Sequence, residues 1–174
     1  MIVQRAIERI GVPWRNGLGV QYEIICDGSL PDDWTWRIST ADITCDVPFS
    51  SFAGVTREFC VADGNGVMLN INGIDHRCEN GSVTKFRGDD VVFSTLIDGP
   101  VRALNLMRRD GSEDRPLLLT AGGQKIDSCT VAVAIHSPSI LIVGDDQISL
   151  HMLDALIIDS PKALRVLNGV VATF

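Results

Sequence analysis

The sequence predicts an all-β protein built from short antiparallel strands. Apolar residues come in short runs, several with a strand period of two. Sixteen glycines and seven prolines punctuate those runs. No segment sustains the 3.6-residue period of a long helix.

The first clear strand is Trp34-Thr35-Trp36-Arg37-Ile38-Ser39-Thr40-Ala41. Alternation puts Trp34, Trp36 and Ile38 on one face and Arg37, Ser39 and Ala41 on the other. In the next, Val55–Val61, the residues Val55, Arg57, Phe59 and Val61 share a face. Further strands are expected at Val67–Ile71, Val83–Phe86, Val91–Leu96 and Val101–Met107. The second half offers Thr130–Ile135, Ile140–Val143, Ile148–Leu153, Ala155–Ile158, Leu164–Leu167 and Val170–Phe174. Gly64-Asn65-Gly66, Asn72-Gly73, Asn80-Gly81 and Asp110-Gly111 are turn sequences that tolerate positive φ.

Arg109 to Gln124 is the longest stretch without a pattern and reads as a linker. The 174 residues then form one unit with two halves, about 1–109 and about 125–174. A short internal match lays Asp98–Met107 beside Asp159–Leu167, and Asp90–Phe93 beside Asp154–Ile157. Chance and a duplicated β unit explain matches of this length equally well.

The formal net charge is −7, so a nucleic-acid backbone meets a repelling field and no nucleic-acid partner is expected. No run approaches the ~20 apolar residues of a membrane-spanning helix, and no secretory signal opens the chain. The five cysteines, at 26, 45, 60, 78 and 129, lack paired spacing. They read as reduced thiols, several of them in the core, which points to the cytoplasm.

Metal and covalent chemistry leave no signature. A strand grips a metal ion with a His-x-His pair, whose imidazoles share a face. Here His76, His136 and His151 are isolated, with His76 at the surface after a turn and His136 before Ser137-Pro138. No metal or other cofactor is expected, and no residue is assigned a catalytic role. No Gly-x-Ser-x-Gly elbow occurs, and nothing ties a cysteine to a histidine base.

The informative feature is polar residues on apolar strand faces. Arg57 lies between Val55 and Phe59, and Asn105 lies with Val101, Ala103 and Met107. Arg37 and Ser39 oppose the tryptophan face. A buried guanidinium needs a partner, and its fork suits a carboxylate. Other readings are open: Arg57 reaching solvent or pairing with Glu23, Arg37 facing water, Asn105 serving a backbone group. The loop Pro13-Trp14-Arg15-Asn16-Gly17-Leu18-Gly19 either presents Arg15 and Asn16 to a cavity or makes a Trp-anchored turn.

Several motifs stand in one order: Pro13-Trp14-Arg15-Asn16-Gly17 with Gly19 and Glu23-Ile24; Trp36-Arg37-Ile38-Ser39-x-Ala41; Pro48-Phe49-Ser50-x-Phe52-x-Gly54 with Arg57; Phe86-x-Gly88-Asp89; and Asn105-Leu106-Met107. In this the sequence resembles the HutD/Ves family, closely over residues 13 to about 109. Leu18, Val47, Ala53 and Ala103 depart from the pattern. The resemblance implies a cupin-like double β-barrel, a bicupin, in a cytoplasmic bacterial protein. It implies a link to histidine utilisation through a small acidic metabolite, or to stress response for Ves members. It also puts Arg15, Asn16, Arg37, Ser39, Arg57 and Asn105 at the family's characteristic polar positions.

The resulting expectation is a metal-free protein that binds a small organic acid and modulates a catabolic pathway. Arg37 and Arg57 neutralise the acid, Asn16 and Asn105 orient it, Arg15 stands at the mouth, and Trp14 and Trp36 support the walls. The alternatives are a metal-independent isomerase or hydrolase with Glu23 or Glu58 as base, a Ves-like stress protein without a defined ligand, or a fully packed interaction module. Sheet edges need cover, which makes a homodimer a further expectation.

Overall fold

A computed structural model describes residues 1–28, 33–112, 115–135 and 137–174. Apart from one 3-10 turn, Ala6–Glu8, every regular element among them is a strand, and every ladder between named strands is antiparallel. The chain divides into two units. One is Ile10–Asp114; the other joins Met1–Arg9 to Arg115–Phe174. Strand β1 (Ile2–Gln4) belongs to the second.

The unit Ile10–Asp114 has two sheets. The larger contains β2 (Gly11–Pro13), β3 (Val20–Cys26), β4 (Trp36–Ile43), β6 (Val55–Asp63), β9 (Val83–Arg87) and β11 (Val101–Arg109). Their order is β2-β3-β4-β11-β6-β9. The smaller contains β5 (Val47–Pro48), β7 (Val67–Ile71), β8 (Ile74–Cys78) and β10 (Val92–Leu96), in the order β5-β10-β7-β8. Phe59, Val61, Ala103 and Ile43 from the larger sheet form one core with Val67, Leu69, Ile71 and Val92 from the smaller. The sheets face each other as a cupin-like jelly roll and do not close into a barrel.

Local chemistry accounts for these elements. In β7 the residues Val67, Leu69 and Ile71 are buried and Met68 and Asn70 are half-buried, the alternation of a sheet with one core face. Asn72 and Gly73 have φ of 52° and 87° and join β7 to β8 with Ile71 opposite Ile74. The type I′ form of a two-residue hairpin needs positive φ at both positions, which asparagine and glycine supply. Six consecutive residues of β6, Arg57–Ala62, are buried, so both faces of this inner strand are covered.

Two details differ from the sequence reading. Trp34 does not share a face with Trp36 and Ile38. It precedes β4, where strand alternation does not apply, and packs with Val55 and Met107. Strands β2, β3, β5 and β8 were not expected: β2 and β5 are two or three residues long, and β8 reads Ile-Asp-His-Arg-Cys with its first four residues exposed. His76 is among those exposed residues.

The second unit is a seven-stranded sheet. It contains β12 (Leu118–Ala121), β13 (Lys125–Ala134), β14 (Ser139–Val143), β15 (Asp146–Leu150), β16 (Ala155–Asn168) and β17 (Val170–Thr173). Their order is β12-β17-β13-β16-β14-β15, with β1 also on β16. Strand β12 lies inside the stretch read as a linker. The segments 155–158 and 164–167, read as two strands, are one 14-residue strand. Pro161 is tolerated because the register against β13 jumps from Lys162 to Ile157, so no ladder bond is asked of it. His136 lies outside the described residues.

The internal repeat exists in topology, in another register. Strands β6, β9 and β11 pair as β9-β6-β11, and β7 pairs with β8 and β10. In the second unit β13 sits between β16 and β17, and β14 pairs with β15 and the end of β16. So β16 corresponds to β9 plus β10, and β17 to β11. The hairpins β7–β8 and β14–β15 both turn in two residues. The sequence match had set β11 beside the end of β16, one strand too early.

Candidate functional site

The larger sheet of the unit Ile10–Asp114 builds the site from cross-strand rows. Arg37, Met107, Arg57 and Phe86 are successive Cα partners across β4, β11, β6 and β9. The next row runs Glu23, Ser39, Asn105, Phe59. Side chains of such rows project from one face and touch their neighbours. A cavity of about 420 Å³, counting its open mouth, stands on these rows. Two loops supply its rim, with Trp14 and Arg15 from one and Phe49, Ser50 and Phe52 from the other. Gly19 is required at the first loop: a Cβ there would come within 2.6 Å of the Trp14 indole.

Arg57 is 6% exposed. Its Nη1 donates to the Ser50 carbonyl at 3.3 Å and its Nη2 to Asn105 Oδ1 at 3.1 Å. Its Nε is buried with no hydrogen-bond partner among the described residues. Three rings surround the guanidinium, with centroids 5.0 Å (Phe86), 5.1 Å (Phe49) and 5.9 Å (Phe52) from Cζ. Among the described residues no carboxylate pairs with it. Burial lowers its pKa, and the like charge of Arg37 pushes the same way. The rings and neutral acceptors return part of the lost hydration energy, but a buried cation without a counter-charge remains costly.

The other polar groups of the cavity are donors or ambivalent. Asn105 spends its oxygen on Arg57, and its Nδ2 makes no hydrogen bond among the described residues. Ser39 lines the cavity beside it, as does Gln21. Arg15 is exposed at the rim, with Cζ 5.4 Å from the Phe52 centroid. Among the described residues no acidic side chain lines the cavity. The arrangement offers one fixed positive charge, neutral donors and aromatic walls, which is the complement of a small organic anion.

Of the six residues singled out in the sequence, Arg15, Ser39, Arg57 and Asn105 line this cavity, and Arg37 and Asn16 do not. Arg37 stands one row partner beyond Met107, its Nη2 3.7 Å from Glu23 Oε2 and its Cζ 5.7 Å from the Trp34 ring. Asn16 joins the two rim loops: its Nδ2 donates to the Pro48 carbonyl at 3.0 Å, and its backbone N–H donates to Ser50 Oγ at 3.2 Å. Trp14 is a wall, edge-on to Phe49 at 6.0 Å. Trp36 belongs to the opposite face. Glu58 also faces away from the cavity, buried and ion-paired with Arg108.

The ring cage was not read from the sequence. Phe49 and Phe52 stand in the Pro-Phe-Ser-x-Phe motif, and Phe86 is the β9 partner of Arg57. Strand pairing joins these two places, and the sequence does not state it. Among the described residues no three His, Cys, Asp or Glu side chains cluster as metal ligands.

The HutD family model matches residues 8–172. Over 98 residues the chain is 39% identical to Protein Ves of Citrobacter koseri, a match covering 55% of this chain and 51% of that protein. The chain spans about half the length of the curated relatives it matches. The structure of HutD from Pseudomonas fluorescens SBW25 (formate condition) superposes with a TM-score of 0.85 at 28% identity, covering 99% of this chain and 96% of that one. A cupin 2 conserved barrel domain protein from Leptotrichia buccalis shares the fold, with a TM-score of 0.57 at 11% identity over 89% and 86% of the two chains.

Proposed function

Because the chain belongs to the HutD family, we propose that it is a cupin-like binding protein that holds a small carboxylate against Arg57 and so reports that metabolite to a catabolic pathway such as histidine utilisation. The observation that carries this reading is a buried arginine with no carboxylate partner among the described residues, facing a cavity with no acidic lining. A bound carboxylate supplies the missing counter-charge through charge-assisted hydrogen bonds, about twice as strong as neutral ones. Asn105 Nδ2 and Ser39 Oγ orient it, and the rings exclude competing water. Arg37 adds positive field from the same row, beyond Met107, and Arg15 meets the acid at the rim. The five cysteines are free thiols, in keeping with action in the cytoplasm. No helix among the described residues is long and apolar enough to cross a membrane.

Titration calorimetry with formate, urocanate and formylglutamate tests the proposal. At least one of them binds saturably, and Arg57→Lys, which keeps the charge and loses the fork, binds it at least about tenfold more weakly. Heat of dilution alone for all three acids, or wild-type affinity in Arg57→Lys, sinks the assignment.

A further inference from the structure

We infer that Glu23 sets which anions the cavity accepts: through its ion pair with Arg37 it discounts the positive field at Arg57 and makes the site one for monocarboxylates over dicarboxylates. The inference rests on the carboxylate reading of the Arg57 cavity.

Three placements support it. Glu23 is the β3 partner of Ser39, so it stands on the cavity-side face of the sheet, in the row that continues through Asn105. Its Oε2 lies 3.7 Å from Arg37 Nη2, and Cys26 Sγ reaches its Oε1 at 3.5 Å. The ion pair is lopsided, with the Arg37 side chain 11% exposed and that of Glu23 47% exposed.

Arg37 lies two strands from Arg57, roughly 10 Å at the usual strand spacing. Its charge acts on Arg57 directly, since its like charge adds to burial in disfavouring the charged form of Arg57. A cation that near an anion site adds affinity, and the carboxylate paired with it takes part of that affinity back. The penalty scales with the charge of the bound anion. A dianion bears it twice, so Glu23 discriminates by charge without touching the ligand.

Glu23→Gln keeps the shape and removes the charge. Calorimetric titrations with acetate and with malonate, at about 10 mM ionic strength where the Debye length is about 30 Å, give the relevant constants. Acetate affinity rises about threefold in Glu23→Gln, and malonate affinity rises by about the square of that factor. Glu79→Gln, the same charge change at the exposed Arg77–Glu79 pair at the end of β8, leaves both constants within about twofold. Equal constants in Glu23→Gln and wild type, or equal gains for acetate and malonate, overturn the role of Glu23 and leave the carboxylate site standing. A loss of affinity for both acids assigns Glu23 to holding the sheet and also overturns it. If the wild type binds neither these acids nor the three above, the carboxylate reading falls and this inference falls with it.

Discussion

Two arginines sit buried on opposite faces of one sheet, and their surroundings differ in one respect. Arg108 faces away from the cavity and holds Glu58 in a buried ion pair. Arg57 faces the cavity and holds neutral oxygens and rings. Removing half of a buried pair strands the other charge, at a cost of about 3–5 kcal/mol. Glu58→Ala therefore unfolds at a markedly lower denaturant concentration than wild type. Among the described residues Arg57 has no partner charge to strand. Arg57→Met fills similar volume with an apolar chain and leaves the stability of the ligand-free protein unchanged or raised, while acid binding disappears. Chemical denaturation of both variants checks the contrast, and a loss of several kcal/mol in Arg57→Met contradicts it. Arg57 and Asn105 were legible in the sequence because alternation marks a polar residue on an apolar face. The partner of Arg108 was not, since Glu58 lies on a neighbouring strand and pairing decides the contact.

At the scale of elements, loops and strand ends do what alternation cannot express. Asn16 has ligand-like chemistry in the sequence, yet its amide and backbone serve to tie the 14–19 loop to residues 48–50. The N-terminal segment is held in a comparable way in the other unit. Asp154, between β15 and β16, accepts hydrogen bonds from the Ala6 N–H at 2.8 Å, Arg5 Nη1 at 2.7 Å and the His151 N–H at 3.0 Å. Burial pushes the Asp154 carboxyl up, but these bonds outweigh it and hold the pKa below the ordinary aspartate value. A carboxyl whose folded pKa is depressed gives stability that is complete above its unfolded value, near 4, and lost as pH falls through the folded value. Asp154→Asn is thus less stable than wild type at pH 7, by about 2 kcal/mol, and the gap narrows as pH falls below about 4. Melting temperatures of both proteins from pH 7 to about pH 2.5 test this; a gap as wide at the acid end as at pH 7 contradicts it.

For the whole molecule, one strand plan serves two purposes. In the unit Ile10–Asp114 the interior admits an arginine, an asparagine and a serine among the rings. In the other unit the hydrophobic cluster that includes Ala132, Ala134, Leu141, Leu156, Val166 and Val171 contains no aromatic ring among the described residues. The repeat was hard to register from sequence for this reason: what the halves share is pairing order, and their inward-facing chemistry differs. The fold class itself was legible, because short runs and turn residues are local signals. The merging of two expected strands into β16 was not, because Pro161 normally ends a strand and only the register jump against β13 excuses it. The proposed role of Arg57 as the seat of an organic anion is tested most directly by a crystal structure of the protein soaked with the tightest-binding acid of the calorimetric panel. A carboxylate within about 3 Å of the Arg57 guanidinium and of Asn105 Nδ2, absent from Arg57→Met crystals treated alike, is the predicted result. An acid bound elsewhere while the Arg57 cavity stays unoccupied by it, or one that persists at the same place in Arg57→Met, would contradict the account.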